Sequence, residues 1–253
     1  SACRLKLNTI STYMRMLRCI YNKGVDAHQT PYVHRLFRDV FTGVDTRQKK
    51  AIPVNELHTL LYTDPQSEKL RRTQAIANLL FSFCGMPFVD LAHLEKSNLE
   101  GNILKYNRTK TGTPISVEIL ESASDIVSRL RNFHSSVLPE HPDYLFYILS
   151  GKNKRDEEAA YKEYQSTLRR FNNDLKSLAR KLHIHSAVTS YTFRHSWATT
   201  AKYRGVPIEM ISESLGHKSI KTTQIYLKGF DLNERTKVNK LNYSYVKNCL
   251  GIV

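Results

Sequence analysis

The sequence predicts a mainly α-helical fold that includes a small antiparallel β-sheet. Apolar residues recur at steps of three and four along much of the 253-residue chain, most regularly across residues 163–182, as in helices that bury one face. Two short apolar segments, 103–106 and 115–117, flank the turn-forming residues 111–114, which is typical of a β-hairpin. With 41% hydrophobic residues, the chain is large enough to bury a substantial core.

The predicted elements begin with an amphipathic helix over residues 8–22, with Asn8 as its N-cap. A second short, basic helix is predicted within residues 31–40. Residues 42–53 then lose helical periodicity and combine Gly, Pro and a run of charge, which indicates a linker between two domains, placed at 46–53. The later helices are predicted at residues 54–62, 70–84, 122–133, 163–182, 192–204, 207–214 and 222–226.

The chain carries 38 Lys and Arg residues against 23 Asp and Glu, a formal net charge of +15 at pH 7. A basic surface of this size predicts nucleic acid as the partner, because phosphates release counterions when they bind cations. No apolar run approaches the roughly eighteen residues of a membrane helix, so no membrane partner is expected. The four cysteines stand singly, without a CxxC pair, which is typical of the reducing cytoplasm. The chain also begins as if within an element, so we expect it to be part of a longer protein.

Three residues that suit phosphodiester chemistry fall near successive helix ends: Arg194, His217 and Tyr226. A phosphodiester resists attack because it is already anionic, so catalysis needs donors aimed at the charge that builds on its nonbridging oxygens. Arginine is permanently charged and can donate through two nitrogens, and histidine adds a further donor or a general acid or base. A phenol can serve as the covalent nucleophile. The pattern requires no metal or other cofactor, and the sequence has no carboxylate cluster to bind a metal.

These residues belong to longer motifs, which read Thr192-Phe-Arg194-His195, then Leu215-Gly216-His217-Lys-Ser219, then Thr222-Thr223-Gln-Ile-Tyr226. Together the motifs resemble the C-terminal signature of the tyrosine site-specific recombinases, the phage-integrase family, as found in integrases of bacterial mobile elements. The resemblance implies a tyrosine-recombinase catalytic domain over residues 54–232. The end of a helical core-binding domain, which clamps DNA, would precede it over 1–45. A C-terminal tail over 233–253 would follow and be exchanged between protomers.

The resemblance also implies a mechanism for site-specific recombination or integration of DNA. Tyr226 attacks the scissile phosphate of double-stranded DNA, which leaves a 3′-phosphotyrosyl enzyme and a free 5′-hydroxyl. Arg194 and His217 hold the phosphate, and Lys110, on the predicted hairpin turn, protonates the leaving oxygen. Recombinases of this family act as tetramers on DNA, so a homotetramer is expected, and accessory DNA-bending proteins are further candidate partners.

The sequence departs from the family pattern at two positions. The family's first catalytic arginine falls where this chain has Pro87, three residues before the acidic Asp90, and proline has no side-chain donor. Another cation is therefore expected to contact the substrate phosphate, and the sequence leaves the choice open. The candidates are Arg71, Arg72 and Arg108. In addition, Tyr191 stands where the family has a histidine, and a phenol is a poorer proton carrier at neutral pH although it still donates hydrogen bonds.

Two other functions stay open on the sequence alone. The first is a related DNA-binding protein with weak or no cleavage, because Pro87 removes one expected charge donor. The second is a type IB topoisomerase, which uses the same chemistry, although the Leu-Gly-His motif and the compact size favour a recombinase. A covalent DNA complex would exclude the first alternative, and relaxation of a plasmid without a recombination site would identify the second.

Overall fold

The computed structural model describes residues 5–43, 51–137, 144–152, 154–227 and 232–249, apart from the side chains of 132–137, 225–226, 233–234 and 248–249. The chain forms two compact units, Ser1–Lys49 and Lys50–Val253, and the second contains every residue that the sequence assigns to the site. Residues 44–50, which include most of the predicted linker, lie outside the described residues. The domain limits therefore stay a prediction.

The first unit is built on one long helix, α1, which spans Leu7–Asp26. It begins one residue before the expected N-cap, because Lys6 rather than Asn8 holds that position, and it runs a full turn further than expected at its C-terminal end. The hydroxyl of Ser11, which is buried, donates to the carbonyl of Gly43 at 2.5 Å. This hydrogen bond ties the middle of the helix to the end of the described segment.

The helix predicted within residues 31–40 is wrong, since residues 34–39 form turns instead. The hydroxyl of Tyr21 donates to the carbonyl of Pro31 at 3.1 Å and accepts from the amide of Val33 at 2.5 Å. The bond to Pro31 takes a carbonyl that a helix starting there would use, and Arg35 has a left-handed φ of +59°, so the segment follows a non-helical path.

The second unit contains the other helices and the whole sheet of the described chain, so the predicted fold class is confirmed. Its helices and strands in chain order are α2 Val54–Tyr62, α3 Glu68–Ser82, α4 Phe88–Ala92, β1 Leu99–Glu100, β2 Ile103–Asn107, β3 Pro114–Glu118, α5 Glu121–Val137, α6 Glu157–Lys181, α7 Thr192–Tyr203, α8 Ile208–Ser214, α9 Ile220–Tyr226 and α10 Leu232–Cys249.

Strands β2 and β3 form the predicted hairpin, and β1 adds a third antiparallel strand in the order β1-β2-β3. Leu104 of β2 pairs with Val117 of β3, and both side chains are buried. The amide of Arg108 donates to the carbonyl of Thr113 at 2.8 Å and closes the turn, in which Gly112 takes a left-handed φ of +67°. The sequence did not predict β1, because two residues are too few for an alternating pattern.

The core of the second unit forms where α3 packs against α5, α6 and α7. Leu79 of α3 and Leu175 of α6 are both fully buried there. Phe88 of α4 stacks on Phe171 of α6 with ring centroids 4.7 Å apart. A helix of five residues is not stable by itself, so this aromatic contact and the burial of Leu91 help to hold α4 and its Asp90 in place.

Helix α6 begins at Glu157, two turns before its apolar stripe starts at Tyr164. The side chain of Asp156 accepts hydrogen bonds from the amides of Glu158 and Ala159, each at 3.0 Å, and so caps the helix. Apolar periodicity alone therefore placed the start of this helix too late.

Helices α7, α8 and α9 share a smaller apolar cluster of Ala198, Ile211, Leu215 and Leu227. Gly205, with φ of +79°, allows the chain to turn between α7 and α8. This cluster supports the three C-terminal motifs, so its packing decides where their polar side chains lie.

Helix α10 exposes most of its apolar side chains to solvent. These are Leu232, Val238, Leu241, Tyr243, Tyr245 and Val246. No helix in the described part of the chain is both long enough and apolar enough to cross a membrane.

Candidate active site

Two arginine side chains meet at one backbone carbonyl at the end of α8. Nη2 of Arg194 donates to the carbonyl oxygen of Leu215 at 2.5 Å, and Nη1 of Arg108 donates to the same oxygen at 3.4 Å. The last carbonyls of a helix lack partners within the helix, so this oxygen is available to both guanidinium groups. The pair comes from α7 and from the β2–β3 turn, which are far apart in the sequence.

Arg194 is the largest of the fully buried side chains in the described chain, with 1% of its surface exposed. A buried charge is tolerated only when hydrogen bonds replace its lost hydration, and Nη1 donates to the carbonyl of Gly85 at 3.0 Å. A Cβ atom at Gly85 would lie 3.0 Å from the Cα of Arg194, and the residue has φ of +67°. Glycine is therefore what allows the end of α3 to approach α7 this closely.

Arg108 is 5% exposed and lies beside Asp90 of α4, which is 3% exposed. Nε of Arg108 is 3.4 Å from Oδ2 of Asp90, while Oδ1 accepts the amide of Thr109 at 3.1 Å. A Cβ atom at Gly216 would lie only 2.8 Å from Cγ of Arg108, so glycine leaves room for this side chain. Asp90 thus compensates the charge of Arg108 and anchors the hairpin turn.

The other two candidate arginines lie elsewhere. Arg71 pairs on the surface with Asp64, at 2.9 Å from its Oδ1. Arg72 donates to the carbonyl of Tyr147 and lines a separate cleft of about 460 Å³, together with Arg170. Of the three cations that the sequence left open, Arg108 is therefore the one that the fold brings to Arg194.

His217 follows the shared carbonyl by two residues and contacts groups on both sides of its ring. Its Nε2 lies 3.3 Å from Nη2 of Arg194, and its Nδ1 lies 2.8 Å from Oγ1 of Thr223 on α9. Burial, followed by the positive charges of Arg194, Arg108 and Lys110, lowers the pKa of His217 to about 4. The ring is therefore neutral at pH 7 in this state.

Lys110 occupies an exposed position on the β2–β3 turn, and its positive charge is one of those that lower the pKa of His217. The next residue, Thr111, donates through Oγ1 to the carbonyl of Gly216 at 3.2 Å and accepts from the hydroxyl of Thr113 at 3.0 Å. These bonds tie the turn that carries Lys110 to the turn that carries His217. The sequence motif did not indicate this role for Thr111.

The structure describes the side chain of Tyr191 but only the backbone of Tyr226. Tyr191 holds the N-cap position of α7, is 39% exposed and has its ring centroid 5.3 Å from that of His195. Tyr226 is the last residue of α9, and its side chain lies outside the described residues. Thr223 precedes Tyr226 by three residues, about one helical turn, so α9 links the proposed nucleophile to the hydrogen bond at His217.

The lowered pKa of His217 predicts a pH-dependent stability. Between pH 6.5 and about 4 the unfolded chain binds a proton at this ring and the folded chain does not, so folded stability falls as the pH is lowered through this interval. We expect the melting temperature of His217→Gln to fall less than that of the wild type between pH 7 and pH 4.5. Parallel curves for the two proteins would show that the pKa of His217 is not lowered.

Comparison with known proteins agrees with the fold and with the motifs. The model of the phage integrase family matches residues 50–232, more than half of the chain. A tyrosine recombinase of Thermosipho africanus is 24% identical over 235 residues, which cover 93% of this chain and 73% of that protein. The chain spans just over half the length, 56%, of each of the next two curated relatives that it matches.

Solved structures show the same fold. A XerH site-specific recombinase, in a post-cleavage complex with palindromic difH substrate, has a TM-score of 0.66 at 16% identity, covering 96% of this chain and 67% of that chain. The Tn1549 transposon integrase in complex with circular intermediate DNA has a TM-score of 0.59 at 17% identity, covering 94% and 81%. The family match confirms the resemblance of the motifs, and the chain belongs to the phage integrase family of tyrosine recombinases.

Proposed function

We propose that this chain is a site-specific DNA recombinase that cuts and rejoins double-stranded DNA, with Tyr226 as its nucleophile. The observation that carries the proposal is the convergence of Arg194 and Arg108 on the carbonyl of Leu215, next to His217. Two buried guanidinium groups at one point form a site for an anion with several oxygens, and Asp90 holds one of them, Arg108, in place.

The reaction follows from what each side chain can do. Arg194 and Arg108 donate to the nonbridging oxygens of the scissile phosphate, and Tyr191 adds a hydrogen bond from its phenol. The hydroxyl oxygen of Tyr226 attacks phosphorus, a bond from that oxygen to phosphorus forms, and the bond from phosphorus to the 5′-oxygen breaks. Lys110 donates the proton that the departing 5′-oxygen needs. The phosphotyrosine retains the energy of the broken bond, so the reverse attack reseals DNA without a cofactor or ATP.

Arg108 takes the part of the arginine that the family has at the position of Pro87. Its guanidinium lies with Arg194 and Asp90, whereas Arg71 and Arg72 are engaged with other partners outside the site. The same local charge is thus supplied from the β2–β3 turn instead of the start of α4. This placement argues against a protein that has lost cleavage through the absence of the first arginine.

The partners follow from the same proposal. The net charge of +15, the difH substrate of the XerH complex and the circular intermediate DNA of the Tn1549 integrase complex support double-stranded DNA as substrate. We further propose a tetramer on DNA, in which protomers exchange the tail that contains α10, and accessory DNA-bending proteins as additional partners. A cytoplasmic location agrees with the free thiols of Cys19 and Cys84.

The role of Tyr226 as nucleophile is tested by covalent capture on a pool of nicked DNA duplexes of random sequence. Cleavage beside the nick releases a short strand with a 5′-hydroxyl, and the loss of this strand prevents resealing. We expect an SDS-resistant complex with the wild type and with Tyr245→Phe, an exposed tyrosine of α10. Tyr226→Phe lacks the attacking oxygen and should give none. A complex that persists in Tyr226→Phe would refute the assignment.

The role of Arg108 is tested with Arg108→Lys, which keeps a positive charge beside Asp90 but loses the forked pair of donors. We expect covalent complex to form about 100- to 1,000-fold more slowly, the cost typical of losing one donor to a transition-state oxyanion, with little change in DNA affinity. Arg71→Lys and Arg72→Lys are matched controls at the other two candidate positions. Normal cleavage by Arg108→Lys, together with a defect in either control, would transfer the role to that residue.

Tail exchange is tested by light scattering on DNA with Leu241→Ser/Tyr245→Ser, which removes two exposed apolar side chains from α10. We expect the wild type to reach the mass of a tetramer on DNA and this variant to stop at a smaller assembly, because the exchanged helix loses its buried contacts. Lys240→Ser changes an exposed polar residue of the same helix and should assemble normally. Equal masses for all three proteins would exclude this use of α10.

A further inference from the structure

The ring of His217 is held between two groups whose hydrogen-bonding abilities differ. Nε2 faces Nη2 of Arg194 at 3.3 Å, and Nδ1 faces Oγ1 of Thr223 at 2.8 Å. Guanidinium nitrogens only donate hydrogen bonds, whereas a threonine hydroxyl can donate or accept. The two contacts therefore select among the protonation states of the ring.

The arginine contact requires a lone pair on Nε2, since a proton there would point at another donor. A neutral imidazole carries one proton, so that proton lies on Nδ1 and is donated to Oγ1 of Thr223. Thr223 is completely buried, which keeps water from replacing its hydroxyl as the acceptor. The geometry thus defines one tautomer, with Nδ1 protonated and Nε2 free to accept.

We propose that Thr223 is a positioning residue that holds His217 in the tautomer with Nδ1 protonated, so that Nε2 receives the proton of the attacking phenol. This inference rests on the proposed function. Thr223 suits the role because it lies on α9, one turn before Tyr226, and because its hydroxyl is presented to His217 from the same helix that carries the nucleophile.

The proposal completes the proton balance of the cleavage step. When the scissile phosphate takes the donors of Arg194, the lone pair of Nε2 loses its partner. As the tyrosine oxygen bonds to phosphorus, its proton passes to Nε2 and the ring becomes a cation between Thr223 and the phosphate. At the same time the 5′-oxygen leaves phosphorus and takes a proton from Lys110. One proton enters the site from the phenol and one leaves with the 5′-hydroxyl, so no further reactant is needed.

The alternative is that the buried side chain of Thr223 only packs against its neighbours, and three variants separate the two roles. Thr223→Val keeps the shape of the side chain and removes the acceptor, and Thr223→Ser keeps the acceptor and removes the methyl group. Thr222→Val makes the same change at the exposed neighbouring position on α9. A packing role predicts that valine is tolerated better than serine, and the positioning role predicts the opposite.

The experiment has two readouts on the full chain. The first is the ¹⁵N shift pattern of histidine side chains in the free protein at pH 7, with the His217 signals assigned by their loss in His217→Gln. The second is the rate of covalent complex formation on nicked DNA duplexes recovered from the covalent-capture experiment. DNA affinity and melting temperature are measured with it. The free-protein spectrum does not depend on any activity, so it decides the tautomer even if the wild type proves unable to cleave DNA.

We expect protonated Nδ1 in the wild type, Thr223→Ser and Thr222→Val. In Thr223→Val a proton on Nδ1 loses its buried acceptor, so we expect the ring to leave the contact with Arg194 and its signals to report a mixture of tautomers. We expect the cleavage rate of Thr223→Val to fall about 10- to 100-fold, within the range of general acid–base contributions, while DNA affinity is retained and Thr223→Ser remains close to wild type. Protonated Nε2 in the wild type would overturn the proposal. So would a cleavage rate that is unchanged in Thr223→Val or lower in Thr223→Ser.

Discussion

The carbonyl oxygen of Leu215 is the acceptor on which the site depends. It receives donors from Arg194 and Arg108, and this contact constrains the two residues that follow it, because Gly216 must leave room for Arg108 and His217 must lie beside Arg194. The carboxylate of Asp90 lies beside Arg108 and compensates its charge. In the proposed reaction, this is the point at which the two guanidinium groups meet the substrate phosphate.

The proposed role of Arg108 accounts for Pro87 in this member of the family. Pro87 holds the N-cap position of α4 and has no side-chain donor, yet Asp90, three residues later, pairs with Arg108 of the β2–β3 turn. What the chemistry constrains is the position of a guanidinium in space, and a neighbouring element can deliver it as well as the usual one. Pro87 marks the loss of one donor, and the proposed role of Arg108 restores the donor count.

Much of the fold and part of the site could be predicted from the sequence. Local patterns were sufficient for α2 and for the hairpin of β2 and β3, where periodicity and turn residues agree. They failed at residues 31–40, where tertiary hydrogen bonds from Tyr21 override local preference, and at the start of α6, which depends on the cap by Asp156. The choice of Arg108 and the hydrogen bonds of Thr111 and Thr223 were not predictable, because each depends on which distant segments the fold brings together.

The two hydrogen bonds that join Arg194 to Gly85 and to Leu215 have a consequence for how the site forms as the protein is made. Arg194 needs acceptors from residues that lie on both sides of it in the chain, more than one hundred positions earlier and twenty-one later. A ribosome adds residues in order, so α7 emerges before the carbonyl that completes its arginine's surroundings exists. Until α8 and α9 have followed, the guanidinium lacks one of its two acceptors and the proposed nucleophile is absent. On the proposed function, synthesis in order therefore withholds strand cutting until the last part of the site has been made.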